Sequence, residues 1–222
     1  MHLLIAALVS IVLSFSTHAV SGSSDWELEK EEEGIKLKIY TREVSGSSLK
    51  EFKGEMIVET TLTTLAALLL DSKAAPEWMH QCEKFEIIER TSPKQALIYF
   101  INGAPWPISD RDAVVSSTMS QDPETLVLQV DVEAVTGRLP KNDDYVRIPH
   151  MSGFWSFIPL SEGKVKVVYQ VHADPGGSLP SWLANSVVVD TPYNTMSNML
   201  KMLTLEKYQL AEIPFIKNNH EQ

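Results

Sequence analysis

The sequence predicts an α+β protein in which an antiparallel sheet packs against one long C-terminal helix. Two observations predict this class: the middle of the chain alternates apolar and polar residues in strand–turn–strand pairs, and helical periodicity dominates the last long segment. The length of 222 residues, 44% of them hydrophobic, suits one globular domain with a sizeable core. If the sheet curls round the helix, the space between them can form a cavity.

The N-terminal stretch is set apart by an unbroken apolar run, "LLIAALVSIVLSF", at residues 3–15. The run has the length of a signal-peptide core and is short for a membrane span. Thr17 and Ala19 are small enough for a cleavage site, so we expect a signal peptide at residues 1–19 and a mature chain that starts near Val20. An uncleaved membrane anchor is the alternative. Cleavage predicts a periplasmic or secreted protein, and Cys82, the single cysteine, allows no internal disulfide.

The first elements of the mature chain follow a linker at residues 20–25. The acidic stretch "WELEKEEE" predicts a helical turn, with Asp25 as N-cap, acids in the first turn and Gly34 at its end. "IKLKIYTREV" and "LKEFKGEMIVE" alternate as half-buried strands, and the intervening Gly-Ser-Ser predicts a hairpin.

A change of period marks the first long helix, in "TLTTLAALLLDSKAAPEWMH". Leu62, Leu65 and Leu69 recur at helical spacing, and Asp71 with Pro76 predicts where the helix stops. Three pairs of strands follow, joined by turns at Ser-Pro, Asp-Pro and Glu-Gly dipeptides: "KFEIIERTSPKQALIYFIN", "RDAVVSSTMSQDPETLVLQVDVEAV" and "VRIPHMSGFWSFIPLSEGKVKVVYQVHAD".

The last segment, "PSWLANSVVVDTPYNTMSNMLKMLTLEKYQL", predicts the long helix. Its apolar face centres on Val188, Met196, Met199 and Leu203. Pro192 lies inside the run and is expected to kink or split the helix. The folded domain is predicted to span residues 26–210, with a C-terminal tail at 211–222.

Composition and motifs exclude several functions. The net charge of −10 argues against a nucleic-acid-binding face. The sequence contains no nucleophile elbow, phosphate loop, dinucleotide fingerprint or zinc-protease motif. His80 and Cys82 are too few for a zinc site. His172, Asp174 and Ser178 lie close together only in "VHADPGGS", which is first of all a turn sequence. We therefore expect no metal and no cofactor.

Two polar residues, Asn185 and Thr195, fall on the otherwise apolar side of the last helix. A buried polar group without a partner costs about 1–3 kcal/mol. Either these side chains bond to backbone groups, or they contact a ligand in a cavity.

The loop "PWPISDRD" at residues 105–112 poses a similar choice. It sets a rigid aromatic segment and an Arg-Asp pair between two strands. The pair either pins a structural loop or belongs to the mouth of a cavity.

The order of these motifs resembles the START family of lipid-transfer domains, from about Trp26 to Leu203. The matching pieces are "GIKLKIYTRE", "LLLDSKAAPEWM", "WPISDRD", "VRIPHMSGFWSFIPL" and "VHADPGGSLPSWLANSVVVDTP". The resemblance implies a helix-grip fold, in which a curved antiparallel sheet wraps around the long C-terminal helix and encloses one lipid without chemistry. It places Trp106 in a mouth loop, with Arg111 and Asp112 as the anchor that returns this loop to the sheet.

From the pattern and the resemblance together we predict a set of cavity and mouth residues: Tyr99, Trp106, Arg111, Val130, Tyr169, Asn185, Val188, Thr195, Met196 and Met199. A choline headgroup would need an aromatic cage, to which Tyr99, Tyr169 and Trp155 are the candidates.

Two hypotheses about function follow. The first is a monomeric carrier or sensor of one phospholipid, fatty acid or sterol-like molecule, which touches membrane surfaces transiently. The second is an enzyme related to helix-grip cyclases or hydrolases, which needs an acid–base pair in the cavity. His172 and Asp174 are its only compact candidates.

Overall fold

The computed structural model describes residues 25–177, 179 and 181–218, without the side chains of residues 181, 182 and 184–186. The predicted signal peptide at 1–19, nearly all of the linker, Ser178 and the last four residues of the tail lie outside the described residues. No helix in the described ranges is long and apolar enough to cross a membrane.

Strands make up most of the described chain. They are β1 (Glu27–Glu32), β2 (Leu37–Arg42), β3 (Glu51–Glu59), β4 (Cys82–Ser92), β5 (Gln95–Asn102), β6 (Arg111–Gln121), β7 (Leu128–Ala134), β8 (Val146–Arg147), β9 (His150–Pro159) and β10 (Lys164–Asp174). The helices are α1 (Leu62–Leu70), α2 (Ala75–Trp78), α3 (Ser181–Leu203) and α4 (Glu206–Gln209).

One sheet holds all of these strands, in the order β1-β2-β3-β10-β9-β7-β6-β5-β4, and β8 pairs with β6. Every neighbouring pair is antiparallel except β6 and β8. Helix α3 packs on β2 and β3. The predicted α+β architecture, an antiparallel sheet with a long C-terminal helix on it, is confirmed.

Most of the acidic N-terminal stretch, Glu27–Glu32, is a strand and not the predicted helical turn; only one 3-10 turn follows, at Glu33–Ile35. Strand β1 pairs with β2, with Glu27 opposite Thr41. The register shifts at Glu29, between Leu28 and Lys30. Lys50 Nζ lies 3.2 Å from a Glu27 carboxylate oxygen and 3.4 Å from a Glu29 carboxylate oxygen. Pairing with β2 and these ion pairs outweigh the local preference of acids for a helix start, which a sequence window alone registers.

The two helices with clear sequence signals both form, but the last one ends at Leu203 and the separate helix α4 follows it. Thr61 caps α1 by accepting a hydrogen bond from the Thr64 amide at 3.1 Å, and the helix ends at Asp71. Helix α3 runs through Pro192 without being split. Met196 and Met199 are fully buried in the main core together with Leu37, Ile39 and Met56 of β2 and β3.

Residues 211–218, which the sequence assigns to a C-terminal tail, pack on the domain. Ile216 is buried in the main core. The Lys217 amide donates to Gln121 Oε1 at 2.9 Å, and Asn218 Nδ2 donates to Thr63 Oγ1 at 2.9 Å. These hydrogen bonds join the segment to β6 and α1.

Candidate functional site

An apolar tunnel runs between the sheet and α3. It consists of a mouth lobe of about 170 Å³ and an inner lobe of about 120 Å³. The two lobes adjoin each other, because both are lined by Phe100, Asn102, Met151, Tyr169 and Thr191. A third lobe of about 50 Å³ continues from the inner lobe past Ile98 and Val130.

Strand alternation decides which residues of β5 reach the tunnel. Ile98, Phe100 and Asn102 line it, because successive side chains of a strand point to opposite faces. The partner strand β6 follows the same rule: Arg111 lies opposite Asn102 in the register and lines the mouth lobe.

Helix α3 closes the tunnel with one narrow stripe. Leu183, Val187 and Thr191 recur every four residues along the mouth lobe, and Thr195 continues the stripe into the inner lobe. Val188 also lines the mouth lobe.

Of the residues predicted from the sequence, the structure places Arg111, Val130, Tyr169, Val188 and Thr195 in the tunnel wall. Tyr99, Trp106, Met196 and Met199 do not line it. Asn185 lies in α3, but its side chain is outside the described part of the chain.

Met196 and Met199 differ from the prediction because the buried side of α3 has two halves. Both methionines pack in the core shared with β2 and β3, and Gly54 of β3 leaves the space that the Met196 thioether fills. The stripe through Thr191 faces the tunnel instead. The sequence pattern identifies a wide apolar face and does not say which half meets another element and which meets a cavity.

Tyr99 lies on the opposite face of the sheet from the tunnel. Its hydroxyl donates to Asp112 Oδ2 at 3.1 Å. Burial, helped by this carboxylate, raises the pKa of Tyr99 to about 12. Tyr99 therefore belongs to a cluster around Asp112 on the outer face of the sheet and does not contact a ligand in the tunnel.

Asp112 is the centre of that cluster and is completely buried. Arg147 donates to both of its carboxylate oxygens, from Nε at 2.7 Å and from Nη2 at 2.8 Å. The pair is bidentate, the strong geometry for a guanidinium and a carboxylate. Asp112 ties the start of β6 to β8 through Arg147, a partner that the sequence analysis missed because it lies 35 residues further along the chain.

Arg111 points the other way, into the mouth lobe, and only 8% of it is exposed. One guanidinium nitrogen, Nη1, donates to the Ser109 carbonyl. Nε is buried without a hydrogen-bond partner in the described structure. Burial lowers the pKa of Arg111 from its usual value.

Thr195 bonds to backbone, one of the two alternatives left open by the sequence. Its hydroxyl accepts a hydrogen bond from the His80 amide at 3.0 Å and so ties α3 to the end of α2. Burial lowers the pKa of the His80 side chain.

The aromatic residues near the tunnel pack on one another rather than forming an open cage. Tyr169 stacks on Trp155 with ring centres 3.8 Å apart, and Phe52 meets Tyr169 edge-on at 5.1 Å. Burial raises the pKa of Tyr169. Since Tyr99 lies on the other face, the three residues considered for a choline cage do not converge.

The loop at residues 103–110 borders the mouth lobe. Pro105 and Ile108 line the lobe, whereas Trp106 between them is 92% exposed. The question raised by "PWPISDRD" thus has a double answer: Asp110 closes the loop by accepting from the Ala104 amide, and the loop forms part of the mouth.

Groups suited to acid–base or metal chemistry do not converge in the described structure. His172 Nε2 lies 3.1 Å from Ser47 Oγ, and Asp174 Oδ1 accepts from the Gly176 amide at 2.9 Å. Burial raises the pKa of Cys82 to about 11, which disfavours a thiolate. No group of three or more His, Cys, Asp or Glu residues within the described ranges is placed to hold a metal ion.

Comparisons with known proteins point to one family. The family model described as "START domain" matches residues 11–208. An uncharacterized Pseudomonas aeruginosa protein, PA1579, is 34% identical over 85% of this chain and 93% of its own length. Bovine phosphatidylcholine transfer protein is 26% identical over 82% of this chain and 85% of its own. The crystal structure of a STAR-related lipid transfer protein from Xanthomonas axonopodis superposes with a TM-score of 0.74 at 38% identity, covering 81% of this chain and 99% of that one.

Proposed function

We propose, from the premise that this chain belongs to the START domain family, that it binds a single lipid in the tunnel and carries it between membranes without changing it chemically. The observation that carries this proposal is the pair of adjoining apolar lobes between α3 and the sheet. Adjoining apolar lobes suit a long hydrocarbon, because each buried methylene contributes about 0.8 kcal/mol.

The relatives support the same class of ligand. Proteins of similar sequence or structure carry names that refer to transfer of phosphatidylcholine or, more generally, of lipid. For this chain the candidate cargoes are a phospholipid, a fatty acid or a sterol-like molecule. We further propose that the protein acts outside the inner membrane, on the basis of the signal-like run at residues 3–15.

Lipid analysis tests the proposal directly. The chain from Val20 onward, purified without detergent, is expected to yield about one lipid molecule per protein on solvent extraction and mass spectrometry. The protein should also speed the movement of a fluorescent lipid between donor and acceptor vesicles. A chain that neither retains nor takes up phospholipid, fatty acid or sterol would exclude the carrier function.

We expect Trp106 to help the loop touch membranes. Tryptophan favours the membrane–water interface, and this side chain is almost fully exposed beside the mouth. Trp106→Ala should weaken binding to neutral phosphatidylcholine vesicles about tenfold, as expected from the loss of roughly 1.4 kcal/mol of apolar contact. Vesicle co-sedimentation measures the effect. Leu210, also exposed but outside the tunnel lining, gives the control Leu210→Ala; an equal loss in both variants would contradict a specific role of the loop.

A further inference from the structure

We propose that Arg111 binds the anionic headgroup, carboxylate or phosphate, of the lipid carried in the tunnel. This inference rests on the proposed function and narrows it from any lipid to an acidic one. It starts from a buried guanidinium that lines the mouth lobe and has no counter-charge within ion-pair distance among the described residues.

A buried charge is stable when another charge compensates it. The sequence offers Arg111 a carboxylate next door, but β6 turns Asp112 to the opposite face, where Arg147 holds both of its oxygens. Asp110, on the other side, attracts the guanidinium only from beyond ion-pair distance, and its carboxylate accepts a hydrogen bond from the Ala104 amide at 2.8 Å. The one partner found for Arg111 is the neutral carbonyl of Ser109. The buried Nε therefore remains to be satisfied from within the cavity.

The charged side chains that line the mouth lobe are all positive. None of the described residues that line it is acidic, and Lys50 is its other cation. Lys50 is already paired with Glu27 and Glu29, so the uncompensated charge of the lobe resides on Arg111. An anion that enters with a lipid would supply the missing charge.

The chemistry of the lobe favours an oxyanion over other headgroups. A guanidinium presents donors in a planar fork that matches carboxylate and phosphate. Asn102, opposite Arg111 in the register, and Gln81 add amide groups to the same lobe. A quaternary amine, by contrast, would meet a cation and no open aromatic cage. The hydrocarbon then extends past Phe100 and Tyr169 into the inner lobe.

A headgroup series tests the inference. Oleate, oleoyl lysophosphatidic acid and oleyl alcohol share a C18 chain and differ in their polar end. The wild-type protein should bind at least one of the two anions about 10- to 100-fold more tightly than the alcohol, the range that one charge-assisted contact provides. Preference for oleate assigns a carboxylate site, and preference for the phosphate assigns a phosphate site.

Two variants connect the preference to the side chain. Arg111→Met keeps a long apolar side chain without the charge, so the ratio of its affinities for the anion and for oleyl alcohol should fall to about one. Arg111→Lys keeps the charge without the planar fork and should retain part of the anion preference. Ligand-free Arg111→Met should melt no lower than wild type, because it removes an uncompensated buried charge. If Arg111→Met does not fold, the anion preference of the wild-type protein, compared with that of Arg111→Lys, still tests whether Arg111 binds the headgroup.

The two proposals fail in different ways. Equal binding of the anions and the alcohol by the wild-type protein, or an anion preference that survives in Arg111→Met, would overturn the role of Arg111 and leave lipid carriage intact. If the wild-type protein binds none of these three lipids, and binds neither phosphatidylcholine nor cholesterol, the carrier function itself is overturned.

Discussion

Replacing Asp112 by alanine is expected to lower the free energy of unfolding by about 3–5 kcal/mol, the usual cost of removing one partner from a buried ion pair. Arg147, whose side chain is 12% exposed, would lose both of its carboxylate contacts. Tyr99 would lose its acceptor as well. Urea unfolding followed by circular dichroism measures the change.

Two controls separate the ion pair from general effects of substitution. Asp131→Ala removes an exposed carboxylate from β7 and should change stability by less than about 0.5 kcal/mol. The double variant Asp112→Ala/Arg147→Met should recover part of the loss, because no unpaired charge is left in the cluster. An unfolding free energy for Asp112→Ala equal to that of wild type would show that the pair does not hold β6.

Replacing Thr191 by tryptophan is expected to cut lipid loading to less than about a tenth of the wild-type value. Thr191 lies where the two lobes meet and lines both. An indole at this point fills the passage, and a steric penalty of only about 1.4 kcal/mol gives a tenfold loss. Loading of a fluorescent fatty acid and a fluorescent phospholipid measures the effect, with circular dichroism to confirm folding.

The neighbouring residue provides the matched control. Asp190 is exposed on the same turn of α3, so Asp190→Trp adds the same ring outside the tunnel and should load normally. Val188→Trp, at the mouth lobe alone, should reduce loading less than Thr191→Trp. Normal loading by a folded Thr191→Trp protein would mean that the lipid does not pass between the lobes at this point.

The tunnel wall shows how far strand patterns carry a functional prediction. The alternation in "QALIYFIN" puts Ile98, Phe100 and Asn102 on one face, which is the tunnel face. Tyr99, predicted as a wall residue, lies between these positions in the alternation, so its side chain points to the other face of the sheet. Strand alternation alone would have predicted Phe100 and Asn102 as wall residues.

The α+β class, the presence of α1 and α3, and the hairpins β4–β5, β6–β7 and β9–β10 were determined by the sequence itself. Each is encoded by local periodicity and by turn or cap residues next to it. The family resemblance also rests on short motifs whose order is visible in the chain. The tertiary structure was not needed for any of these.

Only the tertiary structure decided that "WELEKEEE" forms an edge strand, that α3 turns Thr191 rather than Met199 to the tunnel, and that Asp112 pairs with Arg147 while Arg111 faces the cavity. These outcomes depend on contacts between residues far apart in the chain, such as Glu27 with Lys50. A sequence window shows what each residue prefers on its own. Which side chain receives a partner is fixed by the free energy of packing and ion pairing, and that is defined only when the strands and α3 are assembled.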